Sequence, residues 1–147
     1  MKGNFLLDTH IWLWYARGDR HRLNTRVAER LTALDKAERL HLSVMSVWEL
    51  GLLTAKNRLH LGQPCAEWVQ TFFSRTRVRL IELDVPTALS ANQLPGQFHA
   101  DPADRLLVAT ARHHGLRLIT EDRKILDYAR QGYVRAHATD DKELLKP

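Results

Sequence analysis

Acidic side chains recur in this sequence where predicted strands give way to helices. Asp8 directly follows the apolar run Phe5–Leu7, and Glu49 lies one turn into the helix expected after a second strand. The other acids of this kind follow a long loop or the predicted strand 116–120, and they are Asp101, Asp104, Glu121 and Asp122. Ligands of an open α/β sheet bind outside the carboxyl ends of its strands. We therefore expect these carboxylates to meet at one edge of a sheet.

Carboxylates that converge repel one another, so their pKa values rise or a cation binds between them. Oxygen ligands of this kind suit Mg²⁺ or Mn²⁺. A divalent cation can activate a water molecule and stabilise the charge that develops on a phosphate. The acids therefore predict metal-assisted cleavage of a phosphodiester.

Each acid also has a purely structural interpretation. Three of them could cap the helices that follow, namely Asp8, Asp101 and Asp122. Ser46 and Glu49 match a capping box. Asp104 would lie in the first turn of its helix, where the helix dipole favours an anion. Their shared location at strand ends is the stronger argument for a common site.

The protein is basic and rich in arginine. Its 147 residues include 22 Lys and Arg against 17 Asp and Glu, a formal net charge of +5, and 16 of the basic residues are arginine. Arginine presents a planar fork of donors that suits phosphates, so this balance favours a nucleic-acid partner. One arginine group follows the Asp8 junction and contains Arg17, Arg20, Arg22, Arg26 and Arg30. Within it, Arg20 and Arg22 are our candidates for contact with a substrate backbone, and a solvated surface is the alternative.

The composition excludes several classes of protein. A hydrophobic fraction of 44% with 27% charged residues is typical of a globular protein and not of a disordered one. No apolar run approaches the roughly 20 residues of a membrane span, and Phe5–Leu7 is too short for the core of a signal peptide. The single cysteine, Cys65, excludes an intramolecular disulfide and a cysteine-built zinc site. These features predict a reduced, cytoplasmic protein without a membrane partner.

Predicted strands and helices alternate along the chain, which indicates a mainly parallel sheet with helices on both faces. The predicted strands cover 5–7, 40–45, 78–83, 116–120 and 133–136. Helices are expected between them, with starts at Ser46, Pro64 and Asp101 among others. We expect a single domain over residues 1–139, followed by a polar tail over residues 140–147 that frays.

The eight histidines show no spacing typical of a metal-binding helix. His113 and His114 end a predicted helix, where cationic imidazoles interact favourably with the helix dipole. His10 lies close to Asp8 in sequence and could reach a substrate. The sequence contains no glycine-rich phosphate loop and no nucleophile elbow, so neither a nucleotide cofactor nor a serine nucleophile is predicted.

Four segments carry a family resemblance, and they are Leu6–His10, Ser43–Leu50, His99–Ala111 and Leu118–Asp122. Together they resemble the PIN-domain proteins, in particular the VapC-like toxins of type II toxin–antitoxin systems. The resemblance implies a PIN-like three-layer α/β/α sandwich with a mainly parallel central sheet. It also implies a metal-dependent endoribonuclease that uses Mg²⁺, with Mn²⁺ as a possible substitute.

The resemblance also implies roles for individual residues. The family's four acids, which hold the metal, fall on Asp8, Glu49, Asp104 and Asp122. Asp101 belongs to an Asp-Pro-x-Asp-Arg variant of the third block, and it would join the metal shell, support it through water or only cap the helix. The neighbouring Arg105 would bind a substrate phosphate or pair with a site carboxylate, and simple placement on the surface is the alternative.

The partners implied by the resemblance are an RNA substrate, a small cognate antitoxin protein and a second copy of the chain in a homodimer. A metal-activated water would cleave the RNA to leave a 5′-phosphate and a 3′-hydroxyl. The main alternative is a catalytically weak PIN-fold module that binds nucleic acid or an antitoxin. A nuclease that acts on DNA is a further alternative, because the acids do not distinguish ribose from deoxyribose. A phosphoacceptor receiver domain is disfavoured, because a single acid follows the first strand.

Overall fold

The computed structural model describes residues 3–147 and contains one five-stranded sheet. Its strands are β1 (Phe5–Leu7), β2 (Leu40–Ser43), β3 (Arg79–Ile81), β4 (Arg117–Ile119) and β5 (Ala136–His137). Neighbouring strands are parallel, in the order β3-β2-β1-β4-β5. Met1 and Lys2, with which the domain predicted over residues 1–139 begins, lie outside the described residues.

Helices connect the strands and follow the last of them. They are α1 (Thr9–Arg17), α2 (Thr25–Lys36), α3 (Val44–Ala55), α4 (Cys65–Arg75), α5 (Val85–Ser90), α6 (Pro102–His114), α7 (Arg123–Arg130) and α8 (Lys142–Leu145). Over residues 3–147, none of the helices is both long enough and apolar enough to cross a membrane.

Both faces of the sheet are covered, because successive side chains of β1 point into two different buried layers. Phe5 and Leu7 pack in a core with side chains of α1 to α4 and α8, whereas Leu6 packs in a second core with α6 and α7. All three side chains are fully buried, as expected for a strand of a parallel sheet with helices on both sides. The predicted three-layer α/β/α sandwich with a parallel central sheet is confirmed.

The strand order creates a crevice beside β1. The chain leaves β1 toward β2 and β3 on one side, and it returns to β4 and β5 on the other. In open parallel sheets such a reversal leaves a ligand crevice at the carboxyl ends of the two central strands. Here these strands are β1 and β4, and the backbone N–H of Asp8 donates to the carbonyl of Ile119 at 3.0 Å. The residues that follow the two strands therefore lie side by side.

Helix α3 begins earlier than the sequence predicted. β2 ends at Ser43, whose hydroxyl caps α3 by accepting the backbone N–H of Met45 at 3.0 Å. The predicted strand through Met45 is therefore too long, and the predicted helix start and capping box at Ser46 are wrong. The physical reason is that Ser43, three residues before Ser46, already accepts a free N–H of the first helical turn. Ser46 instead lies inside the helix, only 1% exposed.

The C-terminal tail packs against the core, so the expectation that residues 140–147 fray is wrong. Asp141 caps α8 by accepting the backbone N–H of Glu143. Leu144 is fully buried in the same core as Phe5, and its carbonyl accepts a hydrogen bond from Arg30 Nε at 2.8 Å. One apolar anchor and one cap thus order a segment whose composition is mostly polar.

Candidate active site

Asp8 lies at the carboxyl end of β1, where it is 6% exposed and caps α1. Its Oδ1 accepts the backbone N–H of Thr9 at 2.7 Å, and its Oδ2 accepts the hydroxyl of Thr120 at 2.6 Å. Each carboxylate oxygen has two acceptor sites. The carboxylate is therefore fixed in orientation and still has acceptor sites free to face the crevice.

Thr120 joins Asp8 to Asp122 across the crevice. It is fully buried after β4, and its hydroxyl accepts the backbone N–H of Asp122 at 2.9 Å while it donates to Asp8. Asp122 in turn caps α7 by accepting the backbone N–H of Ile125 at 3.1 Å. Thr120 was not among the predicted site residues, although a hydroxyl directly after a buried strand and two residues before an acid was a usable signal.

We expect Thr120→Val to lower the rate of RNA cleavage about tenfold, because loss of a group that orients a site carboxylate typically costs tenfold or more. Valine keeps the shape and removes the hydroxyl from both partners. The readout is kcat for cleavage of an RNA substrate, compared with Thr120→Ser, which should restore the rate. The matched control is Thr110→Val, which removes a buried hydroxyl of α6 that bonds only its own helix. Equal losses in the two valine variants would contradict a positioning role.

Glu49 is held by a hydroxyl pair that connects α1 to α3. Thr9 Oγ1 lies 2.8 Å from both Ser46 Oγ and Glu49 Oε1. A hydroxyl has one proton, so Thr9 donates to the ionised Glu49 and accepts from Ser46. Burial raises the pKa of Glu49, the bond from Thr9 lowers it in part, and the nearby charges of Asp8 and Asp101 raise it further.

The N-terminus of α6 supplies two more acids. Asp101 is exposed and caps the helix by accepting the backbone N–H of Asp104 at 3.0 Å. Asp104 is partly buried in the first turn, and its Oδ2 lies 3.0 Å from His99 Nε2. His99, in the loop before α6, is a second residue that the sequence analysis missed, and no spacing pattern pointed to it.

Asp104 shows that the five predicted acids share one location. Its pKa is raised to about 7 by burial and, in addition, by the negative charges of Asp122, Asp101, Asp8 and Glu49. Such coupling requires the carboxylates to lie close together, because charge interactions weaken with distance and with exposure to water. The structure therefore brings together the acids that the sequence predicted at one sheet edge.

The acid cluster, defined here as Asp8, Glu49, Asp101, Asp104 and Asp122, has the chemistry of a site for a hard cation. Among residues 3–147, the ion pairs include no lysine or arginine on any of these acids. No three of these acids place carboxylate oxygens within 4.8 Å of one another, as expected when like charges repel. Mg²⁺ keeps several waters and uses few carboxylates, so a loose, all-oxygen donor set of this kind fits it.

Arg105 pairs with backbone carbonyls and, among residues 3–147, with no site carboxylate, so the predicted carboxylate contact is wrong, whereas its contact with a substrate phosphate stays a prediction. Its Nε donates to the carbonyl of Ala91 at 2.9 Å, and one of its terminal nitrogens donates to the carbonyls of Phe98 and His99 at 2.9 and 3.1 Å. The loop between α5 and α6 exposes carbonyls that no helix or strand satisfies, and the guanidinium fork pairs with three of them. Arg105 therefore positions the loop that carries His99.

Aromatic and basic side chains extend from the acid cluster along α1. His10 accepts the backbone N–H of Glu121 through Nε2 at 3.0 Å, and its Nδ1 lies 3.7 Å from Asp8 Oδ2. The ring of His10 contacts Trp14 at a centroid distance of 5.0 Å. Arg22 is exposed and places its guanidinium 5.3 Å from the Trp14 ring centroid, a cation–π distance. Arg20 is exposed in the same turn.

Comparison with known proteins identifies relatives over most of the chain. The PIN domain family model matches residues 5–131. Ribonuclease VapC22 from Mycobacterium tuberculosis is 35% identical over 120 residues, which cover 82% of this chain and 88% of that protein.

Solved structures with a similar fold include VapBC2 from Rickettsia felis bound to a promoter DNA fragment, with a TM-score of 0.66, 16% identity and coverage of 91% of this chain and 97% of that one. FitAcB from Neisseria gonorrhoeae has a TM-score of 0.61, 24% identity and coverage of 92% and 97%. At these identities the two structures support the fold.

Proposed function

This chain belongs to the PIN-domain family, and from that premise we propose that it is a divalent-metal-dependent endoribonuclease and the toxin of a toxin–antitoxin pair. Its relationship to a VapC ribonuclease makes it a PIN-domain toxin ribonuclease. The cation, the residue roles and the partners are the proposed part. The observation that best supports the cation and the residue roles is the crowding around Asp104. Burial and four neighbouring acids raise the pKa of this residue to about 7.

In this proposal Asp8, Glu49, Asp104 and Asp122 hold Mg²⁺, or Mn²⁺ in its place, and Asp101 supports the site by fixing the N-terminus of α6. The cation supplies a Lewis acid and lowers the pKa of bound water. The protein contributes orientation, because Thr120 and the Thr9–Ser46 pair fix the carboxylates before a substrate arrives. Hydrolysis adds water across the phosphodiester, breaks the P–O3′ bond, and leaves a 5′-phosphate and a 3′-hydroxyl.

The test of the proposed activity is cleavage of RNA by the purified full chain. We expect cleavage with millimolar Mg²⁺, no cleavage after chelation with EDTA, and recovery when Mg²⁺ or Mn²⁺ is restored. A chain that binds RNA and never cleaves it with either cation would contradict the proposal and favour the catalytically weak module. Cleavage that continues in EDTA would contradict the metal dependence alone. DNA of the same sequence, added as a second substrate, separates a ribonuclease from a DNA-directed nuclease.

The substrate backbone is proposed to run along α1, past His10 and Trp14 to Arg22 and Arg20. The exposed arginines lie on the same side of the molecule as the acid cluster, because Trp14 connects Arg22 to His10 beside Asp8. Backbone phosphates are bound mainly by arginine and lysine, which position the nucleic acid without reading its sequence. This path supplies the positive charge that the acid cluster lacks.

We expect the double variant Arg20→Gln/Arg22→Gln to reduce the salt dependence of RNA binding. Each lost phosphate contact removes about 0.7 from the slope of log K against log salt for a single strand, so two contacts remove about 1.4. The measurement is fluorescence anisotropy of a labelled, catalytically inert RNA over a salt series. Arg130→Gln is the control, since Arg130 lies exposed on α7 and pairs with Asp127. An unchanged slope in the double variant would contradict this path.

Two protein partners complete the proposal. A small antitoxin is supported by the VapBC complex among the structural neighbours, and a basic side chain of such a partner would pair with the acid cluster. A homodimer is supported by exposed apolar side chains on and before α5, where Val85 is 71% and Leu89 62% exposed. An RNA substrate and a free thiol at Cys65 both suit action in the cytoplasm.

A further inference from the structure

A second set of metal-ligating side chains lies outside the acid cluster, where the N-terminus of α5 meets the C-terminus of α6. Asp84 Oδ2 lies 3.6 Å from His114 Nε2 and 3.9 Å from His113 Nε2. Among residues 3–147, this is the trio of His, Cys, Asp or Glu whose ligand atoms all lie within 4.8 Å of one another. The proposed nuclease mechanism does not use these residues.

The carboxylate of this trio is held in place by its other oxygen. Asp84 Oδ1 accepts the backbone N–H of Thr87 at 2.8 Å as the cap of α5, which leaves Oδ2 directed at the two imidazoles. Hydrogen bonding from Thr87, followed by the charges of His113 and His114, holds the pKa of Asp84 below its usual range. The carboxylate is therefore ionised at neutral pH and available as a ligand.

The two separations between Asp84 and the imidazoles are close to those of a bound ion. Ligand atoms about 2.0–2.1 Å from a tetrahedral metal lie about 3.3 Å from one another, so the two measured separations need to shorten by roughly half an ångström. The three side chains are 33–42% exposed, which leaves their rotamers free to adjust. The two imidazole rings lie edge to face, with their planes at 88° and their centroids 5.0 Å apart, so they do not stack on each other.

We propose that Asp84, His113 and His114 form a binding site for a transition-metal ion such as Zn²⁺, separate from the acid cluster. Two imidazoles and one carboxylate suit Zn²⁺, Co²⁺ or Ni²⁺, whereas Mg²⁺ prefers oxygen ligands alone. Three protein ligands leave a coordination position for water. The ion would join the two ends of the stretch 84–114, which comprises α5, the loop after it and α6.

The two sites lie at opposite ends of α6. Asp104 occupies the first turn and His113 the last, and nine residues at 1.5 Å per residue separate them by roughly 14 Å along the helix. The segment closed by the ion carries His99, which contacts Asp104, and the carbonyls that Arg105 holds. Occupation of the second site therefore stabilises the segment that supports one wall of the acid cluster.

The test is titration of the untagged, metal-free full chain with Zn²⁺ in millimolar Mg²⁺, followed by calorimetry and thermal unfolding. We expect saturable binding of one Zn²⁺ and a higher Tm. His113→Gln and His114→Gln should each weaken Zn²⁺ binding at least about tenfold, because each removes one of three protein ligands. Asp104→Asn should leave the Zn²⁺ affinity unchanged, which separates this site from the acid cluster.

Two further measurements make the outcome decisive. His60→Gln removes an exposed histidine outside the trio and should bind Zn²⁺ as the unaltered chain does. Co²⁺ used in place of Zn²⁺ should give the visible absorption of a low-coordinate site, lost in the His113→Gln/His114→Gln double variant. Undetectable Zn²⁺ binding, or equal affinity in the double variant, would overturn the proposal. In that case the imidazoles act as caps and ion-pair partners at the C-terminus of α6.

Discussion

Replacing Asp8 or Asp104 with asparagine should lower the rate of RNA cleavage by about a thousandfold or more. Each replacement removes one negative charge from the acid cluster and keeps the size of the side chain. A bound divalent cation contributes several kcal/mol to stabilising a transition state, and about 4 kcal/mol corresponds to a thousandfold in rate. The measurement is single-turnover cleavage of RNA by each variant at saturating protein and fixed Mg²⁺.

Asparagine is the sharpest substitution because it separates chemistry from folding. At Asp8 it can still cap α1, so the buried start of the helix keeps its partner. Far-ultraviolet circular dichroism should therefore be unchanged. Asp127→Asn is the matched control, since Asp127 is an exposed acid on α7 that pairs with Arg130, and it should cleave normally. Cleavage at the wild-type rate by both Asp8→Asn and Asp104→Asn would contradict the proposed metal site.

The second large effect is on stability: the variant Asp104→Asn, which should lose activity, should be more stable than the unaltered chain. Without a divalent cation, Asp104→Asn should stabilise the protein at neutral pH by about 2 kcal/mol, because it removes a charge that burial and four neighbouring acids disfavour. This is roughly half of the ~4 kcal/mol to which the pKa shift corresponds, since the side chain is only partly buried. The measurement is thermal or urea unfolding of the metal-free variant and the unaltered chain. A lower Tm for Asp104→Asn at pH 7 would contradict the crowding of the acids.

The pH dependence follows from the direction of the pKa shift. The pKa of Asp104 is about 7 in the folded protein and about 3.9 in an unfolded chain, so between these values the folded state binds more protons. Stability of the metal-free protein therefore falls as the pH rises from about 4 to about 7. The raised pKa of Glu49 acts in the same direction. The gap between Asp104→Asn and the unaltered chain should thus open across this window and close near pH 4.

Magnesium should reverse the order of the two proteins. A ligand that binds only the folded state raises the Tm, so Mg²⁺ should stabilise the unaltered chain and have little effect on Asp104→Asn. Asp127→Asn should respond to Mg²⁺ as the unaltered chain does. An equal Tm increase in all three proteins would indicate that Mg²⁺ binds elsewhere.

Local sequence patterns were sufficient to predict most of the fold. The fully apolar run Phe5–Leu7 predicted a buried strand, and the helix starts expected at Pro64 and Asp101 predicted α4 and α6. Two predictions failed where a competing signal lay nearby. Ser43 rather than Ser46 caps α3, and the buried Leu144 orders a tail that is mostly polar. In each case a single side chain outweighed the composition of its surroundings.

The candidate site was predictable as a set of acids but not as a set of contacts. Acids at strand ends predicted a shared edge, and the structure brings Asp8, Glu49, Asp101, Asp104 and Asp122 to it. The carbonyl partners of Arg105 were not predictable, because a guanidinium that follows an acid in sequence gives no sign that unpaired loop carbonyls lie within its reach. His99 begins one of the segments that resemble the family but was not among the predicted site residues, since its contact with Asp104 depends on how the loop before α6 folds back.

The sequence by itself determined which segments are strands and helices and that acids follow the strands, because these features depend on neighbouring residues only. The tertiary structure alone decided which groups meet. Thr120 reaches Asp8 across 112 positions of sequence and Thr9 reaches Glu49 across 40, and Asp84 meets His113 and His114 from a different helix. These contacts depend on the strand order β3-β2-β1-β4-β5 and on the packing of α5 against α6. Both are set by the burial of all the apolar faces together and not by any local pattern.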